Sequence, residues 1–285
     1  MKKLSIFFLI VCCAFSLFAQ AKAESSINEE IKIVSLGPNV TEILYALGCA
    51  DNVVGRTDYC NYPQEALTVQ SIGNLWEPNL ELILGLDADI AIASSLIDPT
   101  FIESLTKAGI TAYQFNEQES LEGTYNLIEN IAEVVNKQEQ AKAIIDNMKT
   151  RIQEVKSKIN TLNEKKKVVY IISYGDYGDY AATGDTYLND VIEAAGGINA
   201  AQSGMYWSIS KELLFEQNPD VILISSYGDP ASDIQTFVNT TPYNQLDASI
   251  NGQVYTINQD AAERQGVRTV DAIEEFARIL YPQLF

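Results

Sequence analysis

The chain has 285 residues, which is enough for two domains of ordinary size. It carries 38 acidic residues against 19 basic ones, and this formal charge of −19 disfavours nucleic acid and anionic lipid as partners. Histidine is absent from the whole sequence. Its absence excludes Ser-His-Asp catalysis, Cys-His catalysis and histidine-ligated zinc.

The segment from Met1 to Ala23 has the organisation of a secretory signal peptide. Two lysines precede an apolar run at 4–18, and small residues up to Ala23 suit cleavage. The run is shorter than the ~20 residues of a membrane-spanning helix. A lipid anchor on Cys12 or Cys13 is less favoured, because the apolar run continues past both cysteines. We therefore expect cleavage after Ala23, which removes three basic residues and no acidic one and leaves a more acidic exported chain, 24–285.

Two cysteines remain after that cleavage, Cys49 and Cys60. Export permits a disulfide between them. The strand-like sequence VVGRT separates them, however, and would hold the two thiols apart. A disulfide and two unpaired cysteines both stay open on the sequence alone.

Strands and helices alternate in the first half of the chain. Strands are predicted at 32–36, 53–57, 89–93 and 111–115. Helices are predicted from Asn39 to Leu47, after Asn79 and at 102–108. Asn39 and Glu42 have the spacing of a capping box, and Asn79 is predicted to cap its short helix. The alternation predicts a parallel or mixed α/β sheet.

The middle of the chain, residues 121–163, contains helix formers and no strand signal. Lys137 to Glu164 is predicted as one helix with an apolar stripe along one side. At 1.5 Å per residue it spans roughly 40 Å, about the diameter of a domain. A coiled-coil dimer is the alternative, but the stripe has too few clean heptads. A rigid helix that joins two lobes fits the pattern better.

Strand–helix alternation then resumes. The predicted elements are strands at 168–173 and 253–257 and helices at 187–195 and 269–280. Within this half, WSISKELLFEQNPDVILISS at 207–226 repeats the pattern of WEPNLELILGLDADIAIASS at 76–95, with a constant offset. Both tryptophans of the chain fall on this offset. We therefore predict two Rossmann-like α/β lobes, 24–136 and 166–285, joined by a connecting helix at 137–165.

Large aromatic residues are concentrated in the loops that leave the carboxyl ends of the predicted strands, where α/β sheets bind ligands. They are Tyr59, Tyr62, Trp76, Tyr174, Tyr177, Tyr180, Tyr206 and Trp207. Facing each other from two lobes, these rings would form a cleft for a large, flat or partly apolar ligand. The alternative for each ring is packing within its own lobe.

Signals for other chemistry are weak. Asp176 and Asp179 lack the spacing of an EF-hand loop, and there is no phosphate-binding loop, nucleophile elbow or marked carboxylate pair. No catalytic or metal-binding residue is predicted. Arg264 and Arg268 precede the last helix, where they would either hold an anionic group of a ligand or pair with acidic residues of the chain.

Glu81 and Glu212 occupy equivalent positions in the repeated stretch, each in the first turn of a predicted helix. A carboxylate there is favoured by the helix dipole, and this alone would explain both residues. Their symmetry suggests a further role, one acidic knob on each lobe. Two such knobs would fit a two-fold partner that has one basic socket per subunit.

Together these motifs resemble the substrate-binding proteins of ABC importers for vitamin B12, ferric siderophores and haem, the type with a helical backbone. The resemblance covers residues 31–285 and rests on IVSLGPNVTEILYALG, DYCNYP, GGINAA, both repeated stretches and the ending RQGVR to YPQLF. It implies that Glu81 and Glu212 dock onto arginines of the permease, with Lys211 in place of an arginine. It also implies that Tyr59, Tyr62, Trp76 and Trp207 face a corrin ring.

The expected function is that of a monomeric, non-enzymatic binding protein without an intrinsic cofactor. It would deliver a cobalt- or iron-containing chelate to a permease dimer with its ATPase subunits, and its lobes would close only slightly. A corrinoid is the favoured ligand, because the aromatic loops contain few cations. A ferric siderophore is the alternative, as is haem, whose iron Tyr59, Tyr62 or Tyr174 would bind. An extracellular enzyme on a two-lobed scaffold and a cell-surface interaction module are the alternatives from other classes.

Overall fold

The computed structural model describes residues 31–94, 97–226 and 228–285, and the predicted signal peptide lies outside these ranges. Within them, no helix is both long enough and apolar enough to cross a membrane. The chain forms two compact units. The first extends to Thr41 and from Gly48 to Gln114, and the second contains Glu42–Leu47 and Phe115–Phe285.

A five-stranded sheet organises the first unit. Its strands are β1 (Ile33–Ser35), β2 (Val53–Arg56), β3 (Gln70–Ser71), β4 (Ile90–Ser94) and β5 (Thr111–Phe115), in the order β3-β2-β1-β4-β5. β1 runs parallel to β2 and β4, and β2 runs parallel to β3. The helices of this part of the chain are α1 (Pro38–Ala46), α2 (Leu80–Gly85) and α3 (Pro99–Lys107). Short 3-10 turns cover Ala50–Asn52 and Gln64–Thr68.

The second unit contains a mixed six-stranded sheet. Its strands are β6 (Lys167–Ser173), β7 (Asp179–Ala181), β8 (Ile198–Asn199), β9 (Ser208–Ile209), β10 (Val221–Ser225) and β11 (Val254–Ile257). The order is β11-β10-β6-β7-β9, with β8 also paired to β6. β6, β8, β10 and β11 are parallel, whereas β7 is antiparallel to β6 and β9.

Eight helices in the described residues lie wholly in this unit. They are α4 (Leu121–Val134), α5 (Gln138–Ile159), α6 (Tyr187–Ala194), α7 (Lys211–Gln217), α8 (Pro230–Asn239), α9 (Asp247–Ile250), α10 (Gln259–Glu263) and α11 (Thr269–Leu280). Further 3-10 turns cover Tyr243–Gln245 and Pro282–Leu284. The predicted long helix is α5, whose buried stripe includes Ile145, Met148 and Ile152. It packs against α4, α6 and α11.

The compact units differ from the predicted lobes at residues 42–47, which lie in the second unit, and at residues 115–136. Because α4 packs against α5, the segment 115–136 lies in the second unit. The lobes 24–136 and 166–285, and a helix at 137–165 that joins them, stay a prediction.

The predicted capping box at the start of α1 is wrong. Asn39 is the second residue of the helix, not its cap, and its Oδ1 accepts hydrogen bonds from the Val40 N–H and the Ser94 hydroxyl, both at 3.0 Å. Glu42 instead binds two arginines from the far end of the sequence. A local spacing rule does not account for such distant partners.

The repeated stretch forms the same structure twice. α2 begins at Leu80 and α7 at Lys211, and β4 begins at Ile90 and β10 at Val221, which preserves the offset between the two tryptophans. Each helix has a side-chain cap at the equivalent position. Asn79 Oδ1 accepts the Leu82 N–H and Ser210 Oγ accepts the Leu213 N–H, both at 3.1 Å. The predicted cap at Asn79 is confirmed.

The two aspartates of the repeat each join two parallel strands at their amino ends. Asp89 accepts the Lys32 N–H at 2.8 Å, and its own N–H donates to the Lys32 carbonyl at 2.9 Å. Asp220 makes the same pair of bonds to Lys167, at 2.7 and 2.9 Å. The bonds hold the start of β4 beside β1 and the start of β10 beside β6. These aspartates therefore have a structural explanation.

We expect Asp220→Ala to lower the free energy of unfolding by about 1 kcal/mol, because it removes a charge-assisted hydrogen bond to backbone at a solvent-accessible site. Urea unfolding followed by circular dichroism measures the change. Glu154→Ala, at an exposed position of α5, is the matched control and should change the stability by less than about 0.5 kcal/mol. An Asp220→Ala variant as stable as the control would contradict the assignment.

Candidate functional site

In the first unit, two of the predicted aromatic residues meet. The rings of Tyr59 and Trp76 are 5.2 Å apart between centroids and nearly perpendicular, at 83°. Tyr59 and Tyr62 are exposed, and Trp76 keeps 57% of its surface accessible. A half-exposed indole that packs edge-on against a tyrosine leaves apolar surface available to a ligand. All three residues follow the carboxyl ends of β2 and β3.

Hydrogen bonds fix the loops that carry these rings. The Asp58 N–H donates to the Gly73 carbonyl at 2.8 Å, and Ser71 Oγ donates to Asp58 Oδ1 at 2.5 Å, which joins the two loops. The side chain of Asn74 accepts the Trp76 N–H at 2.8 Å. Cys60, the neighbour of Tyr59, is buried with its Sγ 3.2 Å from the Thr57 hydroxyl. Polar contacts thus hold the aromatic residues in place.

The question of a disulfide has a structural answer. Cys49 and Cys60 are both buried, and the structure describes them as two thiols rather than as a disulfide. Buried thiols are poorly placed to react with solutes. The two cysteines therefore contribute packing to the first unit.

In the second unit, the β6–β7 loop and the start of β7 present three tyrosines in different ways. Tyr177 is 99% exposed and Tyr180 is also exposed. Tyr174 is half-buried, with its ring edge-on to Phe237 at 4.9 Å and to Tyr243 at 5.2 Å between centroids. Tyr174 therefore packs partly within its own unit, which was the alternative to a ligand contact. Tyr177 has its whole side chain accessible to a ligand.

Tyr206 and Trp207 form a two-residue turn with unusual backbone angles. Their φ values are 54° and 64°, in the left-handed region that costs a non-glycine residue about 1–2 kcal/mol. Two side chains hold the turn. Asp185 accepts the Tyr206 N–H at 2.8 Å and Thr183 Oγ1 accepts the Trp207 N–H at 3.1 Å. The turn leaves Tyr206 78% exposed, so the fold itself gains little from burying that ring.

The predicted arginines lie in a buried ion cluster. Arg268 donates from Nε and Nη2 to the two carboxylate oxygens of Glu42, at 2.7 and 2.6 Å, and Arg264 donates to the same carboxylate at 3.0 Å. Arg264 also pairs with Asp260 at 2.7 Å. The Glu42 side chain is 1% exposed. Of the two interpretations of these arginines, the contacts favour pairing with acidic residues over binding of a ligand anion.

The two predicted docking glutamates are both exposed in the first turn of their helices, Glu81 on α2 and Glu212 on α7. Hydrogen bonds from its own N–H and from Ser210 hold the pKa of Glu212 below its usual range. The Glu212 carboxylate is therefore charged at neutral pH. A pair of exposed carboxylates on equivalent short helices provides two acidic points for a partner with basic residues.

Asp179 is a buried carboxylate of the second unit that binds a lysine side chain. From the sequence, Asp179 was considered only as a calcium ligand, and this contact was not predicted. Asp179 is bound by Lys211, at 3.2 Å from Nζ to Oδ1. No distinctive sequence spacing links these two residues. In the part of the chain that the structure describes, no group of three Asp, Glu, Cys or His side chains has the arrangement of a metal site.

Comparison with known proteins identifies the family. The model of the periplasmic binding protein family matches residues 33–261. The chain belongs to the periplasmic binding protein family. This confirms the resemblance to the substrate-binding proteins of ABC importers for vitamin B12, siderophores and haem, whose members bind solutes rather than transform them.

Individual members of the periplasmic binding protein family are similar over most of their length. An ABC transporter substrate-binding lipoprotein of Bacillus subtilis (strain 168) is 30% identical over 263 residues, covering 90% of this chain and 82% of that protein. A vitamin B12-binding protein of Photorhabdus laumondii is 26% identical over 267 residues, 93% of each chain. The solved structure of a periplasmic haem-binding protein of Vibrio cholerae has the same fold, with a TM-score of 0.79 at 23% identity over 88% of this chain and 99% of that one.

For this periplasmic binding protein we expect Glu42→Gln to lower the free energy of unfolding by about 3 kcal/mol, because buried Arg268 and partly buried Arg264 lose their shared carboxylate. Urea unfolding measures the loss. The control is Lys142→Met, which breaks the exposed Lys142–Asp146 pair and should cost less than about 0.5 kcal/mol. If Glu42→Gln changed the stability no more than the control, the arginines would be available for a ligand after all.

Proposed function

We propose that this chain is the substrate-binding protein of an ABC importer and that its ligand is a corrinoid. The observation that carries the ligand proposal is the combination of exposed aromatic rings with arginines that are already bound. The rings lie on loops at the carboxyl ends of strands in both units, where α/β folds bind ligands. The proposed function is binding and delivery rather than catalysis.

The shape and polarity of the ligand follow from the rings. Trp76, Tyr177 and Tyr206 are more than half exposed, although burying large aromatic side chains is normally favourable. A large, flat and partly apolar ligand would cover such rings. A corrin macrocycle has this character, and a vitamin B12-binding relative is 26% identical over most of the chain. The proposed ligand contacts are Tyr59, Tyr62, Trp76, Tyr174, Tyr177, Tyr180, Tyr206 and Trp207.

The scarcity of available cations favours a corrinoid over the alternatives. A siderophore or haem carries anionic groups that arginine or lysine would normally pair with. Arg264 and Arg268 are bound to Glu42, and Arg56 donates to the carbonyls of Ala66 and Thr57, both at 2.9 Å. An anionic ligand would have to compete with these bonds. Arg264 and Arg268 are therefore not proposed as principal ligand contacts.

Haem remains the alternative within the family. The similarity in fold to a haem-binding protein is high, with a TM-score of 0.79, although fold similarity alone does not assign a ligand. The chain has no histidine to bind the iron. Tyr59 and Tyr62 are exposed phenols at the carboxyl end of β2, and Tyr174 is half-buried. A tyrosine-bound haem is thus the outcome that would replace the corrinoid.

The proposed partner is a permease dimer with its ATPase subunits. Glu81 and Glu212 sit at equivalent places of an internal repeat, so two equivalent basic sockets could receive them. A surplus of acidic residues, 38 against 19 basic, suits association with a basic partner and disfavours nucleic acid. We propose an exported, monomeric protein whose mature chain begins after the predicted signal peptide at 1–23.

The ligand proposal predicts that cyanocobalamin quenches tryptophan fluorescence of the mature protein saturably and binds more tightly than haemin or a ferric hydroxamate siderophore. Trp207→Ala and Trp76→Ala should each weaken cyanocobalamin binding at least about tenfold, because each removes a large contact surface. Calorimetric titration measures the affinities, and Lys142→Met is the control that should bind normally. Tighter binding of haemin, or no binding of any of the three, would overturn the corrinoid assignment.

The docking proposal predicts that Glu81→Ala and Glu212→Ala keep the ligand affinity of the wild type. Both side chains are exposed on short helices, and neither takes part in the hydrogen bonds described above for the aromatic loops. Each should reduce stimulation of the reconstituted importer's ATPase about tenfold or more, and the double variant should abolish it. Glu154→Ala serves as the charge-matched control. Full stimulation by the double variant would show that docking uses another surface.

A further inference from the structure

The start of α7 is tied by a side chain to the segment 174–180, here called the aromatic loop, which comprises the β6–β7 loop and the first two residues of β7. This tie adds to the backbone pairing of β7 with β9, which directly precedes α7. Lys211, the first residue of α7, donates from Nζ to the Gly175 carbonyl at 2.9 Å and to Asp179 Oδ1 at 3.2 Å. Its ammonium group therefore holds both ends of the segment 175–179. Lys211 is directly followed by Glu212, the proposed docking residue.

The carboxylate that receives Lys211 is buried. The Asp179 side chain is 1% exposed, and its Oδ1 also accepts the Gly175 N–H at 3.1 Å and the Tyr243 hydroxyl at 2.5 Å. Its Oδ2 is buried without a hydrogen-bond partner in the described residues. Desolvating a carboxylate is costly unless a cation compensates it. Lys211 supplies that cation, so the loop and the start of α7 depend on each other energetically.

The same network reaches the aromatic side chains. Tyr243, whose hydroxyl binds Asp179, packs edge-on against the ring of Tyr174, and the Lys211 ammonium lies 5.6 Å from the centroid of the Tyr243 ring. Hydrogen bonding to Tyr243 and Asp179 raises the pKa of Lys211, so the Lys211 ammonium stays charged at neutral pH. Movement of Tyr174 would thus disturb the partners of Lys211.

The loop has a conformation that requires glycine at two positions. Gly175 and Gly178 adopt φ values of 129° and 115°, which residues with a side chain rarely reach. Between them lies Tyr177, whose side chain is almost completely exposed. Contact of a ligand with this ring would act on a segment whose two ends are both held by Lys211.

The first copy of the repeat provides an internal comparison. The position equivalent to Lys211 is Leu80, the first residue of α2, which packs against the apolar core of the first unit. A leucine forms no ion pair, so Glu81 has no connection of this type through its neighbour. The ion pair is therefore present at the start of α7 and not at the equivalent position of α2.

We propose that the Lys211–Asp179 ion pair couples the aromatic loop 174–180 to Glu212, so that a ligand on the loop changes the position of one docking glutamate and leaves the other unaffected. This proposal rests on the proposed function, in which the loop binds ligand and Glu212 docks on the permease. Lys211 and Asp179 are positioning residues, because they act on Glu212 and on the tyrosines rather than on the ligand. The device would let the permease distinguish loaded from empty protein through Glu212.

A mutant cycle followed by amide hydrogen exchange tests the link without a ligand. Tyr174→Ala disturbs the loop, and Lys211→Leu with Asp179→Asn removes the link while leaving no unpaired buried charge. In the linked protein, Tyr174→Ala should speed exchange in α7, residues 211–217, by about 3- to 10-fold, the range expected for residues in one network. In the unlinked protein, the same change should alter it by less than about twofold. Equal acceleration in both backgrounds, or none in either, would overturn the link.

Three controls make the result specific. Lys211→Arg keeps a cation at this position and should preserve the coupling. Exchange in the segment 79–84 should not respond to Tyr174→Ala, because Leu80 offers no link there. Exchange in α5 reports any general loss of stability. If the double variant did not fold, as judged by circular dichroism, Asp179→Asn alone would replace it and should reduce the acceleration to less than half, because it removes the ion pair and leaves Lys211 only its bond to the Gly175 carbonyl.

Repeating the exchange measurement with ligand bound tests the coupling separately from the proposed function. With cyanocobalamin or haemin bound to the linked protein, exchange should slow in α7, residues 211–217, and stay unchanged in 79–84. In the unlinked protein, exchange in α7 should not slow. Ligand binding with identical responses in linked and unlinked protein would overturn the coupling and leave the binding function standing. Failure of both compounds to bind would count against the ligand assignment, whereas the mutant cycle would still decide the link.

Discussion

The same helix-capping hydrogen bond, made once in each half of the chain, fixes the helix turns that carry the two glutamates proposed for docking. Asn79 and Ser210 each accept an N–H from the third residue beyond them, which fixes the first turn of α2 and α7. The glutamate in that turn is thereby exposed at the end of a short helix. The reciprocal bonds of Asp89 and Asp220 then seat the following strands, β4 and β10, in their sheets. Cap, glutamate, aspartate and strand form one structural unit in each half.

Much of the fold was accessible from the sequence, because apolar periodicity and helix signals are local. The predicted positions of α5, α6, α11 and the main parallel strands agree with the structure within a few residues. The strands β7, β8 and β9 were not predicted, because two or three residues carry no readable alternation. The capping box at Asn39 and Glu42 failed for another reason. The partners of Glu42 are Arg264 and Arg268, near the opposite end of the sequence and beyond the reach of any local rule.

The candidate site was predictable in its residue types and less so in its contacts. The aromatic loops follow from strand ends, and the structure leaves Trp76, Tyr177 and Tyr206 well exposed. The sequence left two interpretations of Arg264 and Arg268, and their bonds to Glu42 favour the internal one. Lys211 and Asp179 are 32 positions apart, and Asp179 follows a glycine-rich loop. Neither their spacing nor their residue types predicted the ion pair. Contacts that depend on tertiary structure account for what the sequence did not reveal.

Exposed aromatic rings, rather than cations, are proposed to recognise the ligand. A crystal structure of the mature protein grown with cyanocobalamin tests this proposal most directly. We expect a corrin ring in van der Waals contact with Trp76 or Trp207 and with tyrosines of the loops, and Arg264 and Arg268 still bound to Glu42. A ligand held instead by those arginines, or bound away from the aromatic loops, would contradict it.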